Sequence, residues 1–259
     1  MRLKPFVCAA SFAVLGHGAL AASPVILDDP SLGGKDRYDR CLELGKRDAQ
    51  KAVDQAEIWV KDGGGGAALH CEALALVELK RYHEAADKLV SAAHARGLPT
   101  SMRGDLMDQA GNAWLLAGAP DKADTAFSAA LIFSPQDEDV LTDRARARGL
   151  RKDWSGAEAD LSAVLSIDPN RADALVLRAS ARHAQGRKLD ALADIDRALQ
   201  VDPDYPEALL ERGNMRFEDG DAAGARADWQ HVLNAAPGSD AAGDAAARLA
   251  AMTVPAKPH

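Results

Sequence analysis

The chain has 259 residues, of which 47% are hydrophobic and 5% are aromatic. Its 31 basic and 39 acidic side chains give a formal net charge of −8. This charge disfavours nucleic-acid binding, because phosphate recognition needs a basic surface. The hydrophobic content is sufficient for a sizeable core in one elongated domain. Beyond the N-terminus no stretch is long and apolar enough to predict a membrane span.

Residues 1–21 have the pattern of a secretory signal peptide. A positively charged start is followed by an apolar run at 6–15 and by Ala19-Leu20-Ala21, which fits a small-x-small cleavage site. We therefore expect cleavage before Ala22 and export to a bacterial periplasm or out of the cell. An ER lumen fits the same pattern, and a buried N-terminal helix is the alternative. Cys8 would be removed with this segment.

The next segments predict a leader and an end unit. Residues 22–34 are rich in proline, glycine and aspartate and predict an irregular leader. Residues 35–65 predict two helices and a glycine-rich linker. We interpret the helices as an N-terminal capping pair or a degenerate repeat, because an end unit must cover the first repeat interface. The glycines at 63–66 lack a following Gly-Lys-Ser/Thr, which favours a linker over a phosphate loop.

A 34-residue pattern organises the rest of the chain. In one cycle Ala179 and Ala191 are small residues, Gly186 is a helix end, and Pro203 is a helix breaker; related residues recur 34 positions away in both directions. Such a period indicates stacked helix–turn–helix units. The predicted units are 66–99, 104–137, 138–171, 172–205 and 206–239. An extended turn is expected between the first two units, and residues 240–259 predict a capping helix and a tail.

This pattern resembles the tetratricopeptide repeat (TPR) family. The resemblance implies an all-α fold, a right-handed α-solenoid of stacked antiparallel helix pairs that forms a TPR superhelix. It also implies that the first helix of each pair lines a concave groove for an extended or helical peptide. The resemblance does not identify the ligand.

Partner-binding residues follow from the groove positions of that family. They are Asp105, Asp108, Asn112, Leu116, Asp139, Asp143, Arg146, Leu150, Asp173, Val176, Leu177, Glu207, Leu210, Glu211, Asn214 and Phe217. In the first unit the same positions hold Ala67, His70, Cys71, Leu74, Val77 and Glu78. The lysine clamp of the family's chaperone-tail binders is absent, so a chaperone tail is not the expected ligand. Carboxylates beside aliphatic residues suit a partner with basic and apolar residues, although the acids can simply keep the protein soluble.

Cys41 and Cys71 are the two cysteines that remain after signal cleavage. An even number in an exported chain favours a disulfide, which would tie the capping helices to the first repeat. The alternatives are free thiols, a redox pair or a metal site with His70. The chain has no CxxC motif, and adjacent side chains on a helix diverge, which disfavours a metal site.

Charged residues also repeat with the period. Arg178 and Asp194 are 16 positions apart, and Arg144 with Asp160 and Arg212 with Asp228 hold the same places in neighbouring units. In the first unit these places hold Glu72 and Lys88, with the signs exchanged. The exchange predicts ion pairs between the two helices of a unit; the alternative is solvated charge that repeats with the unit.

Catalytic signatures are missing from the sequence. It contains no Gly-x-Ser-x-Gly, no His-Glu-x-x-His and no phosphate loop, and its histidines do not have metal-ligand spacing. We therefore expect a non-enzymatic protein- or peptide-binding module of the cell envelope, without cofactor or metal. The alternatives are a scaffold or assembly factor for an envelope complex, and a small-ligand carrier or enzyme accessory subunit, which a closed apolar pocket would favour.

Overall fold

A computed structural model describes residues 34–253, which form thirteen α-helices. The signal peptide predicted at 1–21, the leader up to residue 33 and the tail beyond residue 253 lie outside the described residues. The described chain divides into two compact units, residues 34–151 and residues 152–253.

The first unit contains seven helices. Each contacts the next along the chain, and α1 also packs on α3. The helices are α1 (Gly34–Arg47), α2 (Ala49–Lys61), α3 (Gly65–Glu78), α4 (Tyr82–Ala93), α5 (Thr100–Leu116), α6 (Pro120–Ala130) and α7 (Glu138–Leu150).

The second unit contains six helices that also contact one another in order. They are α8 (Trp154–Ile167), α9 (Ala172–Ala184), α10 (Lys188–Val201), α11 (Pro206–Glu218), α12 (Ala222–Ala235) and α13 (Asp240–Thr253). The predicted all-α fold of packed helix pairs is thereby confirmed. The boundaries of the repeat units stay a prediction, and the division into compact units falls within the predicted unit 138–171.

The turn inside each helix pair uses one backbone conformation. Gly118, Gly186 and Gly220 have φ values of 70°, 78° and 85°. Lys80 and Lys152 occupy the same repeat position with φ values of 57° and 63°. A left-handed residue ends the first helix and lets the chain reverse, which glycine does without steric cost. The helix end predicted at Gly186 is therefore present, and two pairs tolerate a lysine in its place.

Two junctions differ from the expectation. The glycine run at 63–66 is not a linker throughout, because α3 begins at Gly65; a Cβ on Gly66 would lie 3.2 Å from both Ala95 and Leu98. The extra residues before the predicted unit 104–137 extend α5 to Thr100 by about one helical turn. Arg103 in that turn donates hydrogen bonds to the main-chain oxygens at the end of α4, which orders the segment.

In the core of each predicted repeat unit, one large residue of the second helix packs opposite one small residue of the first helix. Leu89, Phe127, Leu161, Ile195 and Trp229 share one position in the predicted second helices and are at most 1% exposed. The corresponding position of the first helices is alanine or glycine, and it is also buried. Small residues allow two helices to approach closely, so the large side chain fills the space between them.

Candidate partner-binding surface

Carboxylates converge where α5 faces α7. These two helices contact each other in the first unit. The α5–α7 acidic cluster consists of five side chains: Asp105, Asp108, Asp137, Asp139 and Asp143. The pKa of Asp108 is raised to about 7, first by burial and then by the nearby charges of Asp143, Asp137, Asp105 and Asp139, in that order. Burial, followed by the charge of Asp137, also raises the pKa of Asp105. The cluster therefore places the half-buried carboxylate of Asp108 among negative charges that repel it.

Two polar residues organise the centre of this cluster. The Asn112 side chain donates to Asp108 Oδ1 at 3.3 Å, and it also hydrogen-bonds Asp143. Arg146 forms an ion pair with Asp143, whose side chain is 18% exposed. The pKa of Asp143 is nevertheless raised, because its burial outweighs the contributions of Arg146 and Asn112. The structure thus brings together Asp108, Asn112, Asp143 and Arg146 from the predicted set.

Asp137 is a member of the cluster that the sequence analysis missed. Its carboxylate accepts the backbone N–H groups of Asp139 and Val140 and caps the start of α7. An aspartate directly before a helix is a common N-cap and could have been recognised in the sequence. A carboxylate at this position also places negative charge beside the neighbouring end of α5.

Apolar groups occupy the last turns of the same two helices. Leu116 ends α5 and is half-buried, whereas Leu150 ends α7 and is 37% exposed. Both leucines therefore lie at the C-terminal ends of the two helices that carry the acidic cluster.

The predicted residues of the second unit have mixed accessibility. Phe217 is 42% exposed and contacts Trp229 with a centroid distance of 5.6 Å. Asp173 and Glu207 are half-buried, and Asp173 pairs with Arg171 at 3.0 Å. The predicted apolar groove residues are largely buried within the unit: Val176, Leu177 and Leu210 are 3%, 5% and 6% exposed.

Glu211 and Asn214 lie between α9 and α11. Glu211 is 1% exposed and accepts hydrogen bonds from Ser180 at 3.0 Å and from Asn214 at 3.3 Å. The Ser180–Glu211 bond connects the first helices of two successive pairs, whereas the Asn214–Glu211 bond lies within α11. The two residues therefore support the surface from within the unit.

The cysteine prediction is confirmed: Cys41 and Cys71 form a disulfide with a Cα–Cα distance of 6.2 Å. Beside it, the Tyr38 hydroxyl and His70 Nδ1 are 2.7 Å apart, and His70 Nε2 is 2.8 Å from Gln109 Oε1. Because the amide oxygen can only accept, Nε2 carries the proton and Nδ1 accepts from the tyrosine. Burial lowers the pKa of His70, which is consistent with a neutral ring. This chain of bonds links α1, α3 and α5.

Three of the four predicted ion pairs are present. Arg178 binds Asp194 at 2.7 Å, Arg212 binds Asp228 at 2.8 Å, and Lys88 binds Glu72 at 2.6 Å. The pair between Arg144 and Asp160 stays a prediction; Arg144 donates to Ser128 at 3.1 Å.

Asp194 and Asp228 each also bind an arginine that the sequence analysis missed. Arg182 reaches Asp194 and Arg216 reaches Asp228, both at 2.7 Å. Each of these arginines lies four residues after the predicted one, on the same helix face. The two carboxylates are therefore shared by pairs of guanidinium groups.

Residues 34–253 lack two other features. No group of three or more His, Cys, Asp or Glu side chains there could hold a metal ion. Among the helices of that range, none has the length and apolar character needed to cross a membrane.

Comparisons with known proteins establish the class of fold. No family model matches the chain, and no curated protein matches it. Solved structures do match. YrrB, described as "a TPR protein with an unusual peptide-binding site", is 19% identical with a TM-score of 0.60, covering 70% of this chain and 93% of its own. A "MamA RS-1 ArsTM double mutant" is 19% identical with a TM-score of 0.57, covering 68% and 96%.

A third match is a MamA fragment from Desulfovibrio magneticus RS-1. It is 18% identical, with a TM-score of 0.53, and the alignment covers 74% of this chain and 98% of the fragment. These likenesses show that the chain has a TPR-like fold. At such identities they concern the fold alone.

Proposed function

We propose that this protein is a non-enzymatic, peptide- or protein-binding module of the cell envelope. Its α5–α7 acidic cluster, with Leu116 and Leu150 beside it, binds a partner segment that carries lysine or arginine next to apolar residues. The observation that carries this proposal is the convergence of five carboxylates around the half-buried Asp108 and Asp143. A partner cation relieves their mutual repulsion, and the leucines add apolar contact area.

The second unit contributes a further contact surface in this proposal. Phe217 offers an exposed aromatic group, and Glu207 and the Arg171-paired Asp173 supply carboxylates at other predicted groove positions. The buried side chains of Val176, Leu177, Leu210, Glu211 and Asn214 hold that surface in place. YrrB, with its described peptide-binding site, has the same class of fold, which supports peptide binding as the general mode.

The proposed compartment is the periplasm or the cell exterior. The Cys41–Cys71 disulfide supports it, because disulfides persist in oxidising environments and are rare in the cytosol. The signal peptide predicted at 1–21 supports it independently. Fractionation of cells that express the full chain, with N-terminal sequencing of the product, tests both points; an uncleaved cytosolic product would contradict them.

A charge-reversal experiment tests the binding surface. Two fluorescent peptides of equal length, one alternating lysine with leucine and one alternating glutamate with leucine, are titrated into the protein. We expect the lysine peptide to bind the wild type, and Asp108→Lys with Asp143→Lys to weaken it by about tenfold or more. Added salt should also weaken wild-type binding, because partly exposed charges are screened.

The matched control reverses two exposed acids of the first unit outside the cluster. Glu57→Lys on α2 and Asp87→Lys on α4 produce the same change in net charge. If both double variants lose the same affinity for the lysine peptide, the effect comes from net charge alone. Salt-insensitive binding that survives the cluster variant would remove the acidic cluster from the mechanism.

A scaffold or assembly role is the second candidate. Large apolar side chains are exposed away from the predicted groove positions, with Ile132 at 76% and Leu189 at 84%. Ile132 and its chain neighbour Phe133, which is 37% exposed, together offer apolar contact area for another protein. Cross-linking in the native compartment distinguishes the roles, because a scaffold should give links through these side chains that survive Asp108→Lys with Asp143→Lys.

A further inference from the structure

A cleft lies between α1 and α3 in the first unit. It has a volume of about 460 Å³ and is lined by both helices. Its apolar lining includes Leu42 from α1 and Leu74 and Val77 from α3, all of which are half-buried. Cys41 and Cys71 also line it, so the disulfide forms part of its wall. A volume of this size is within the range of small-ligand sites and accommodates a large apolar side chain.

The walls of this cleft are fixed by covalent and hydrogen bonds. The disulfide joins α1 to α3, and the Tyr38–His70 bond joins the same two helices. The second hydrogen bond of His70, to Gln109, fastens α3 to α5. A cleft held in this way is formed before a ligand arrives, which reduces the ordering cost of binding.

The rim of the cleft is acidic. Asp39 and Glu43 on α1 and Glu78 on α3 are exposed carboxylates that line it. The cation at the rim, Lys46, is paired with Glu43 at 3.2 Å. The charge of the lining residues is therefore negative. A ligand with a positive group beside its apolar group matches both the rim and the interior.

We propose that the α1–α3 cleft is an anchoring site for an apolar side chain of a partner peptide, with an adjacent lysine or arginine at the acidic rim. This proposal rests on the proposed function. It adds α1, which the sequence analysis assigned to a capping element, to the predicted groove positions Leu74, Val77 and Glu78 of the first unit. The capping helix α1 then has two roles: it covers α3, and it supplies one wall of a binding site.

A cross-linking experiment locates the anchored side chain. A peptide that alternates lysine with leucine carries a photoreactive leucine analogue at its centre and is irradiated with the purified full chain. We expect cross-links to the cleft-lining segments 39–46 and 71–78, identified by mass spectrometry after proteolysis. A peptide with glutamate in place of lysine should give at least about fivefold fewer cross-links at these segments.

Substitutions at the rim measure the contribution of the cleft. Glu78→Lys changes an exposed residue and is expected to weaken the lysine–leucine peptide by about fivefold or more, whereas the control Glu57→Lys on α2 should change binding by less than about twofold. Leu74→Ser tests the apolar interior and should weaken binding without changing its salt dependence. If that variant folds poorly, Glu78→Lys still decides the question.

The outcomes separate this inference from the proposed function. Cross-links confined to α5 and α7, together with wild-type affinity of Glu78→Lys, would overturn the cleft and leave the acidic cluster as the site. Cross-links in the cleft that persist in Asp108→Lys with Asp143→Lys would support the cleft and contradict the cluster. A wild-type protein that binds neither peptide would refute both proposals.

Discussion

The indole ring of Trp229 lies directly against Gly213. A Cβ added to Gly213 would come within 2.5 Å of Trp229 Nε1 and 2.7 Å of Cδ1, closer than nonbonded atoms approach. Gly111 has the same relationship to Phe127. The corresponding residues elsewhere are Ala73 with Leu89 and Ala179 with Ile195. An aromatic residue thus faces glycine where an aliphatic residue faces alanine, and the partners are 16 positions apart each time.

This relationship predicts a strong effect of Gly213→Ala. The added methyl group must displace Trp229, so we expect a loss of about 1–3 kcal/mol in the free energy of unfolding from overpacking. Trp229→Leu in the same protein recreates an alanine–leucine pair, and the double variant should be more stable than the sum of the single changes implies. Urea unfolding of the four proteins gives the coupling free energy, which should exceed about 0.5 kcal/mol.

A control for this prediction is available in α13. A Cβ on Gly243 would meet nothing within 4 Å. Gly243→Ala should therefore stabilise the helix by about 0.5–1 kcal/mol through helix propensity. If Gly213→Ala has the same stabilising effect, the close packing against Trp229 is not maintained in solution.

The sequence predicted the helix pairs well because their ends are encoded locally. Gly186 and Pro203 mark a helix end and a helix stop, and their recurrence determines the period. The sign exchange between Glu72–Lys88 and Arg178–Asp194 predicted contact between two helices. Two charges that were separately solvated would not be expected to exchange signs together. The relationship of Gly213 to Trp229 is also encoded locally, because a large residue follows the small one by 16 positions.

The surface was harder to predict than the fold. The family pattern assigned Val176 and Asp108 to one groove without distinguishing their exposure. Whether such a side chain faces solvent depends on how closely the next first helix packs, and this is a tertiary property. The shift of the Asp108 pKa likewise depends on burial and on charges from another helix, among them that of Asp137 at the N-cap of α7. The bond of Tyr38 to His70 joins elements of unlike sequence, so no repeat could reveal it.

Asp194 is the next residue with a testable role. Its carboxylate is 5% exposed and binds both Arg178 and Arg182. Asp194→Ala leaves two largely buried guanidinium groups without this partner, so we expect a loss of about 3–5 kcal/mol in the free energy of unfolding. Thermal or urea unfolding measures it.

The exposed pair of Arg187 and Asp190 on the same helix pair provides the comparison. These side chains are 44% and 51% exposed, and Asp190→Ala should cost no more than about 1 kcal/mol. Similar losses for Asp190→Ala and Asp194→Ala would show that the shared carboxylate has no special stabilising role.

The disulfide gives the third prediction. It closes a loop with a sequence separation of 30 residues. In the chain-entropy model, Cys41→Ala with Cys71→Ala should lower the free energy of unfolding by about 3–4 kcal/mol. A phosphine reductant should destabilise the wild type and leave the double variant unchanged. Two alkylatable thiols in non-reduced wild-type protein would contradict the bond.

The last prediction concerns the pH dependence of stability at Asp108. In the folded protein its pKa is raised to about 7 from its ordinary value of 3.8. Between these values the folded state holds more protons than the unfolded state, so the free energy of unfolding falls as pH rises through this interval. Asp108→Asn removes the penalty of the buried charge. The variant should therefore gain on the wild type with rising pH, by roughly 1–4 kcal/mol between about pH 4 and about pH 8.

Because His70 also makes stability depend on pH, the free energy of unfolding of Asp108→Asn is compared with that of the wild type at each pH. Its pKa is lowered, so its own contribution to stability is lost as pH falls below about 6.5, in the opposite sense to Asp108. Subtracting the wild-type curve from the Asp108→Asn curve cancels the histidine, because both proteins contain it. Asp87→Asn removes one charge from an exposed site on α4 and supplies the baseline for that subtraction. Parallel curves for the wild type and Asp108→Asn would mean that burial and the neighbouring carboxylates do not raise the pKa of Asp108 in solution. The electrostatic argument that the acidic cluster binds a cation would then be wrong.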